Sequence, residues 1–347
     1  MENLYGIKFE DLEQKMVSIG QKAYRAKQIY GWLYQHRVYS IDEMSDISIK
    51  FREQMKQDFS MQLPSIITKQ ISYDGTIKML VECDNKVAVE TVLMRYDYGN
   101  AICVSSQVGC NMGCSFCASG LLKKQRNLET HEIVGQVMAM QKYLDENEPG
   151  QKISHIVVMG TGEPFDNYDN VMDFVRIMNC VWGLQIGARH ITISTSGLAD
   201  KIIRYGQEGL QINLAISLHA PNNEIRNKIM KINKAFPLEK LIPAVKEYQN
   251  LTNRRVTFEY ILLKGVNDSL ENAVELKNLL DGIDGLVNLI PYNEVDENGY
   301  KRSSNETIRS FYDKLKKLGM NVTIRKEFGH DIDAACGQLR AKKEGVI

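Results

Sequence analysis

Gly109-Cys110-Asn111-Met112-Gly113-Cys114-Ser115-Phe116-Cys117 is the stretch that decides how the rest of the chain reads. It places three thiols within eight residues, in the spacing C-x3-C-x2-C. Thiolates grouped in this way suit an iron-sulfur cluster, whose irons ordinarily take four cysteines in all. Three cysteines leave one iron free for another ligand. A zinc knuckle or a redox pair would use only Cys114 and Cys117, and no second C-x-x-C or H-x3-H follows to complete a zinc site.

Downstream of the triplet, short apolar strands alternate with amphipathic stretches: HIVVMG (155–160), HITIST (190–195), NLAISLH (213–219), VTFEYILL (256–263), LVNLIP (286–291) and NVTIRK (321–326). Strands spaced by helical patterns predict parallel βα repeats, an α/β fold that curls into a partial (β/α)6 barrel. In such sheets the chemistry gathers at the C-terminal strand ends. The helix after the triplet is predicted to start with Thr130 as N-cap and Glu132 in its first turn, with Ile133, Val134, Val137 and Met138 forming one stripe.

Upstream the rhythm differs. Turn pairs at Asp74-Gly75, Asp84-Asn85 and Gly99-Asn100 separate four alternating runs, which predicts a β-meander. Earlier still, YRAKQIYGWLYQHR (24–37) puts Ile29, Trp32 and Leu33 on one helical face, away from Arg25, Lys27 and Arg37. The expected organisation is an N-terminal helical accessory domain over 1–62, a meander over 63–100 and the barrel over 101–347.

Composition sets outer limits. With 44% hydrophobic and 25% charged residues the chain reads as globular, and it has no apolar run of the roughly 18 residues a membrane span needs. Its opening, MENLYGIKFEDLEQKM, carries acids early and does not read as a signal peptide, so a cytoplasmic location is expected. Forty-three basic residues balance 43 acidic ones, so no global field advertises a polyanionic partner. Seven cysteines in a reducing compartment suit metal ligation, nucleophilic chemistry or packing better than disulfides.

Gly160-Thr161-Gly162-Glu163-Pro164 closes the first strand after the triplet. Phe165 stands where a dinucleotide fingerprint needs its third glycine, and no Lys-Ser or Lys-Thr follows as in a P-loop. A glycine pair at a strand end lets backbone carbonyls approach a ligand amine, and Glu163 adds a negative charge. An ordinary strand-exit turn would look the same in isolation.

Four more cysteines lie outside the triplet. Cys83 and Cys180 read as packing residues. Cys103 precedes the triplet by seven positions on the strand feeding it, and Cys336 sits among small and acidic residues in DIDAACGQL (331–339). Glu90 is the single charge in VAVETVLM (87–94), a strand apolar on both faces. It is a general-base candidate or half of a structural ion pair.

The C-x3-C-x2-C pattern, with an aromatic before its last cysteine and βα repeats behind it, resembles the radical S-adenosylmethionine (SAM) superfamily. Tyr24-Arg25-Ala26, VETV (89–92), CVSSQVGCNMGCSFCAS (103–119), MGTGEP (159–164), STSG (194–197), ISLHAPN (216–222), NLIPYN (288–293) and DIDAACGQL narrow the resemblance, over almost the whole chain, to the RlmN/Cfr family of RNA methyltransferases. Pro164 favours the adenine-C2 branch, acting on 23S ribosomal RNA and transfer RNA, over the adenine-C8 branch.

The resemblance implies one 4Fe-4S cluster on Cys110, Cys114 and Cys117, and two SAM consumed per turnover. It further implies SAM contacts at Gly162, Glu163, Ser194, Ser217, Leu218, His219 and Asn293. One SAM methylates Cys336, and a second yields the deoxyadenosyl radical that abstracts hydrogen from that methyl group. The resulting carbon joins adenine C2. Cys103 then resolves the adduct through a transient disulfide with Cys336, and Glu90 accepts the C2 proton. Flavodoxin or ferredoxin is the implied electron donor, and a monomer is expected. Lys123, Lys124, Arg126, Arg254, Arg255, Arg25 and Lys27 are candidate phosphate contacts.

Overall fold

The computed structural model describes residues 1–332 and 338–343. Helices α1 (Phe9–Ser18), α2 (Tyr24–Tyr30) and α3 (Ile49–Asp58) form the N-terminal unit, tied off by short parallel strands β1 (Glu2–Asn3) and β2 (Phe59–Ser60). Ile29 and Leu33 are fully buried as the periodicity requires. Trp32 is half-buried and donates from Nε1 to Asp46.

Four antiparallel strands follow: β3 (Ser65–Ile71), β4 (Ile77–Glu82), β5 (Ala88–Tyr96) and β6 (Gly99–Cys103). The last of these is shared. Strand β6 pairs antiparallel with β5 on one side and parallel with β9 (Ile153–Val158) on the other, so meander and barrel are one ten-stranded sheet. Between β6 and β9 lie a small hairpin, β7 (Gln107–Val108) with β8 (Arg126–Asn127), and helix α4 (Thr130–Asn147).

The chain then alternates α5 (Tyr168–Asn179), β10 (Ile191–Thr195), α6 (Ala199–Gln207), β11 (Asn213–Ser217), α7 (Asn223–Ile229), α8 (Leu238–Thr252), β12 (Val256–Leu262), α9 (Leu270–Leu279), β13 (Gly285–Pro291), α10 (Asn305–Lys317) and β14 (Val322–Ile324). From β6 through β9 to β14 the strands pair parallel in sequence order, so the six strands expected after the triplet are joined by β6 as a seventh. A last helix, α11 (Gln338–Lys343), follows Cys336, and Cys336 itself lies outside the described residues.

One continuous core runs from Tyr30 and Leu33 through Met79 and Val89 to Ile156, Ile193 and Leu289. Across the boundary between helical unit and barrel, Arg37 pairs with Asp145 of α4 at 2.6 Å and Lys8 with Asp173 of α5 at 3.0 Å. Helix α4 begins one residue earlier than predicted. Its N-cap is Glu129, in a capping box with Glu132, and Thr130 is the first helical residue. No helix among the described residues is long and apolar enough to cross a membrane.

Candidate active site

The triplet leaves β6 and β7 on a loop that two glycines shape. Gly109 has φ +81°, and a side chain there would collide with the Lys123 carbonyl; Gly113 has φ +64°. Ser115 N donates to the Ile229 carbonyl at 2.9 Å and Cys114 bridges Met230, which seats the loop against the segment after α7. Burial pushes the Cys110 thiol up to about 12, and burial plus repulsion from Cys117 and Cys110 pushes Cys114 up as well. Three soft sulfur donors on one loop, each partly exposed, fit an iron-sulfur cluster.

The glycines of GTGEP serve a nearer purpose than ligand approach. Gly160 N donates to the Val104 carbonyl, while Ser106 N and Gln107 N donate to the Thr161 carbonyl. A Cβ on Gly160 would meet Ser105, and one on Gly162 (φ +112°) would meet Gln107 Cβ at 2.6 Å. The loop therefore lies directly on the strand that feeds the cysteines. Gly162→Ala is expected to destabilise by about 1–3 kcal/mol from backbone strain alone, read as a lowered Tm. An unchanged Tm would show that the loop can move away.

Glu163 is buried, and its two oxygens accept from Phe165 N at 3.0 Å and Ser196 N at 2.7 Å. Burial pushes its carboxyl up, and those amides pull against it. Its charge thus joins GTGEP to STSG. Ser194 and Ser217 place their hydroxyl oxygens 3.4 Å apart on neighbouring strands, and Leu218 is fully buried. Asn293 is exposed just past β13.

His219 follows β11 in a left-handed conformation, φ +57°, unusual for a residue with a side chain. Ile261 N donates to its Nδ1 at 3.1 Å, so the proton sits on Nε2, and Phe116 meets the ring edge-on at 5.0 Å. Burial, aided by the Arg226 charge, lowers its pKa to about 3. It is a neutral donor at any physiological pH.

Arg226 carries no signal in the sequence and proves central. Its fully buried guanidinium donates to the carbonyls of Ser196 at 2.6 Å and Leu218 at 3.2 Å and to Asn233 Oδ1 at 2.7 Å, clamping two candidate SAM loops together. Glu259 is a second such residue, buried opposite Ser217 and held by Asn288 Nδ2 at 3.0 Å. Burial raises its carboxyl, against the Arg325 charge.

Glu90 and Cys103 come together on one sheet face. Register places Val92 opposite both Lys78 and Cys103, with Glu90 two residues along the same face. Glu90 Oε2 lies 3.0 Å from Lys78 Nζ, and its Oε1 accepts from Arg340 N of α11 at 2.7 Å. Ser105 Oγ donates to the Glu90 carbonyl, and Thr91 Oγ1 to that of Cys103. The ion pair, one of the two readings open for Glu90, is present in the structure.

The segment leading to Cys336 is fastened to the meander as well. Asp331 accepts from Ser72 Oγ and from Tyr73 N, and Asp74 accepts from Gly329 N at 2.9 Å. Helix α11 beyond it packs on β5 and on the turn Ala118–Gly120 just after Cys117.

Cys83 is buried in the main core and Cys180 half-buried against it. Most of the candidate phosphate contacts are engaged within the protein: Lys124 with Asp166, Arg126 with Glu132, Arg254 with Asn213, Arg255 with Asp284, Arg25 with Gln28, and Lys27 over the Trp182 ring. Lys123 is exposed.

Comparison with known proteins agrees with this geometry. The Radical SAM superfamily signature matches residues 104–276, and the ribosomal RNA large subunit methyltransferase N-terminal domain matches residues 2–61. The chain is 54% identical over its whole length to a probable dual-specificity RNA methyltransferase RlmN of Spiroplasma citri, covering 99% of that protein. It is 55% identical over 99% of its length to the like-named protein of Enterococcus faecalis, of which 97% is covered. A crystal structure of a radical SAM methyltransferase from Sphaerobacter thermophilus superposes with a TM-score of 0.92 at 41% identity, covering 97% of this chain and 99% of that one. The chain belongs to the RlmN family of radical SAM methyltransferases.

Proposed function

We propose that this protein methylates carbon 2 of adenosine, at adenosine 2503 of 23S ribosomal RNA and adenosine 37 of transfer RNA, through a methyl group carried on Cys336. The observation that carries this reading is the shared sheet face of Glu90 and Cys103, together with the fastening of the Cys336 loop to that same meander at both ends. Carbon 2 of adenine is electrophilic and cannot attack the SAM methyl as a nitrogen would, so a carrier thiol has a chemical purpose. When bound on Cys110, Cys114 and Cys117, the cluster supplies the electron that cleaves SAM to a deoxyadenosyl radical.

The chain's own groups do the rest. The Cys336 thiolate accepts a methyl by displacement and presents it. Glu90 accepts the C2 proton, and Cys103 attacks the Cys336 sulfur to release the base. His219 Nε2–H, the Ser194 and Ser217 hydroxyls, Leu218, Asn293 and the Gly162–Glu163 backbone hold SAM. Arg226 and the Glu163 carboxylate keep those loops in register. A flavodoxin- or ferredoxin-type donor suits the one-electron requirement.

Cys336→Ala is expected to abolish RNA methylation while deoxyadenosine is still released, and Cys103→Ala to trap a covalent protein–RNA adduct. Persisting methylation in Cys336→Ala would remove the carrier role. Mass spectrometry of the product nucleosides separates 2-methyladenosine from 8-methyladenosine.

A further inference from the structure

We propose that Lys78 is the positioning residue that keeps Glu90 ionised and aimed, and so sets the pH range in which the carboxylate can act as a base. This rests on the proton-acceptor reading of Glu90. Lys78 is 0% exposed and Glu90 4%, and their charged ends lie 3.0 Å apart. Lys78 is the second residue of β4, where its strand neighbours Ile77, Met79 and Leu80 are buried apolar residues. A buried ammonium is costly without an opposite charge, and β4 places this one diagonal to Glu90, with Lys78 opposite Val92 and Leu80 opposite Glu90.

The argument turns on what a buried carboxylate does by itself. Desolvation favours its neutral form, which holds a proton already and cannot accept another. A cation within hydrogen-bond reach reverses that preference, and the amide of Arg340 on the other oxygen works in the same direction. The pairing also fixes direction. With Oε2 drawn to Lys78 and Oε1 to α11, the carboxylate plane is held between the meander and the helix that follows the Cys336 loop. Among the described residues, the titratable groups facing Glu90 from neighbouring elements include Lys78 on β4, Cys103 on β6 and Arg340 on α11. Lys78 places its ammonium 3.0 Å from a Glu90 oxygen.

The test follows methylation rate against pH in cluster-loaded enzyme with a 23S ribosomal RNA fragment, for wild type, Lys78→Arg, Lys78→Met and Glu90→Gln. Lys78→Met is expected to fall more than tenfold in kcat at pH 7 with KM changed less than threefold, and to recover partly as pH rises, its acidic limb displaced upward by one unit or more. Lys78→Arg keeps the charge and should keep the wild-type limb. A merely structural lysine would lower the plateau and leave the limb in place, and that result overturns the proposal.

A second measurement reads the protonation state in the wild-type protein directly. Isotope-edited infrared spectroscopy of the free protein, labelled at glutamate and assigned by difference against Glu90→Gln, should show the Glu90 carboxylate ionised at pH 7. A protonated C=O band at pH 7 overturns the role of Lys78. Wild-type kinetics in Glu90→Gln would instead overturn the base assignment, so the two failures are distinct.

Discussion

Cys114→Ala is expected to give a folded protein that binds no cluster, releases no deoxyadenosine and methylates no RNA. The fold should survive because the loop is held by main-chain contacts, Ser115 N to the Ile229 carbonyl and the Cys114–Met230 bridge, which alanine preserves. The cluster should not survive. Of the three cysteines proposed to hold it, two would remain on a loop whose glycines are fixed by close approach to Lys123 and Lys231. The readouts are iron and sulfide content and the broad visible absorption after anaerobic reconstitution. Wild-type protein that stays colourless and carries one zinc per chain would refute the cluster, and a variant that still cleaves SAM would refute the ligand set.

Arg226→Met should cost the protein both stability and SAM. The side chain is fully buried and donates to five acceptors on three segments, and its pKa, lowered by burial to about 10, still leaves it charged at neutral pH. Removing it strands the carbonyls of Ser196 and Leu218, at about 1–3 kcal/mol each. The loops after β10 and β11 would separate, and SAM affinity is expected to fall more than tenfold while cluster content holds. Lysine should rescue little, since one ammonium cannot span three segments as a planar guanidinium does. Equal SAM affinity in Arg226→Met, measured by calorimetry, would place the clamp outside SAM binding.

The parts of this molecule that were legible in the sequence are those written in short runs. The cysteine triplet, the alternating strands and the GTGEP turn each sit within a dozen residues, and periodicity or spacing reports them. What was not legible is long-range pairing. Nothing near Arg226 announces that it binds Ser196 and Leu218, and nothing near Glu163 announces that its oxygens hold Ser196 as well as Phe165. One local signal did point further. A single charge inside an apolar strand marks Glu90, and its buried partner Lys78 stands likewise between apolar residues in IKML (77–80). The Thr130 cap was off by one because Glu129 and Glu132 cap each other, a box that glutamate at the N-cap conceals.

The fastening of Gly329 and Asp331 to the β3–β4 turn, and of Arg340 to Glu90, bears on engineering. The residues on either side of Cys336 are held by antiparallel strands that a generic barrel lacks, so the segment is not portable by itself. Moving it onto another scaffold would require transplanting residues 65–96 with it, because those strands supply the mooring on both sides together with the buried Lys78–Glu90 pair. The transplantable unit is discontinuous in the chain, one piece ahead of the cysteines and one at the far end.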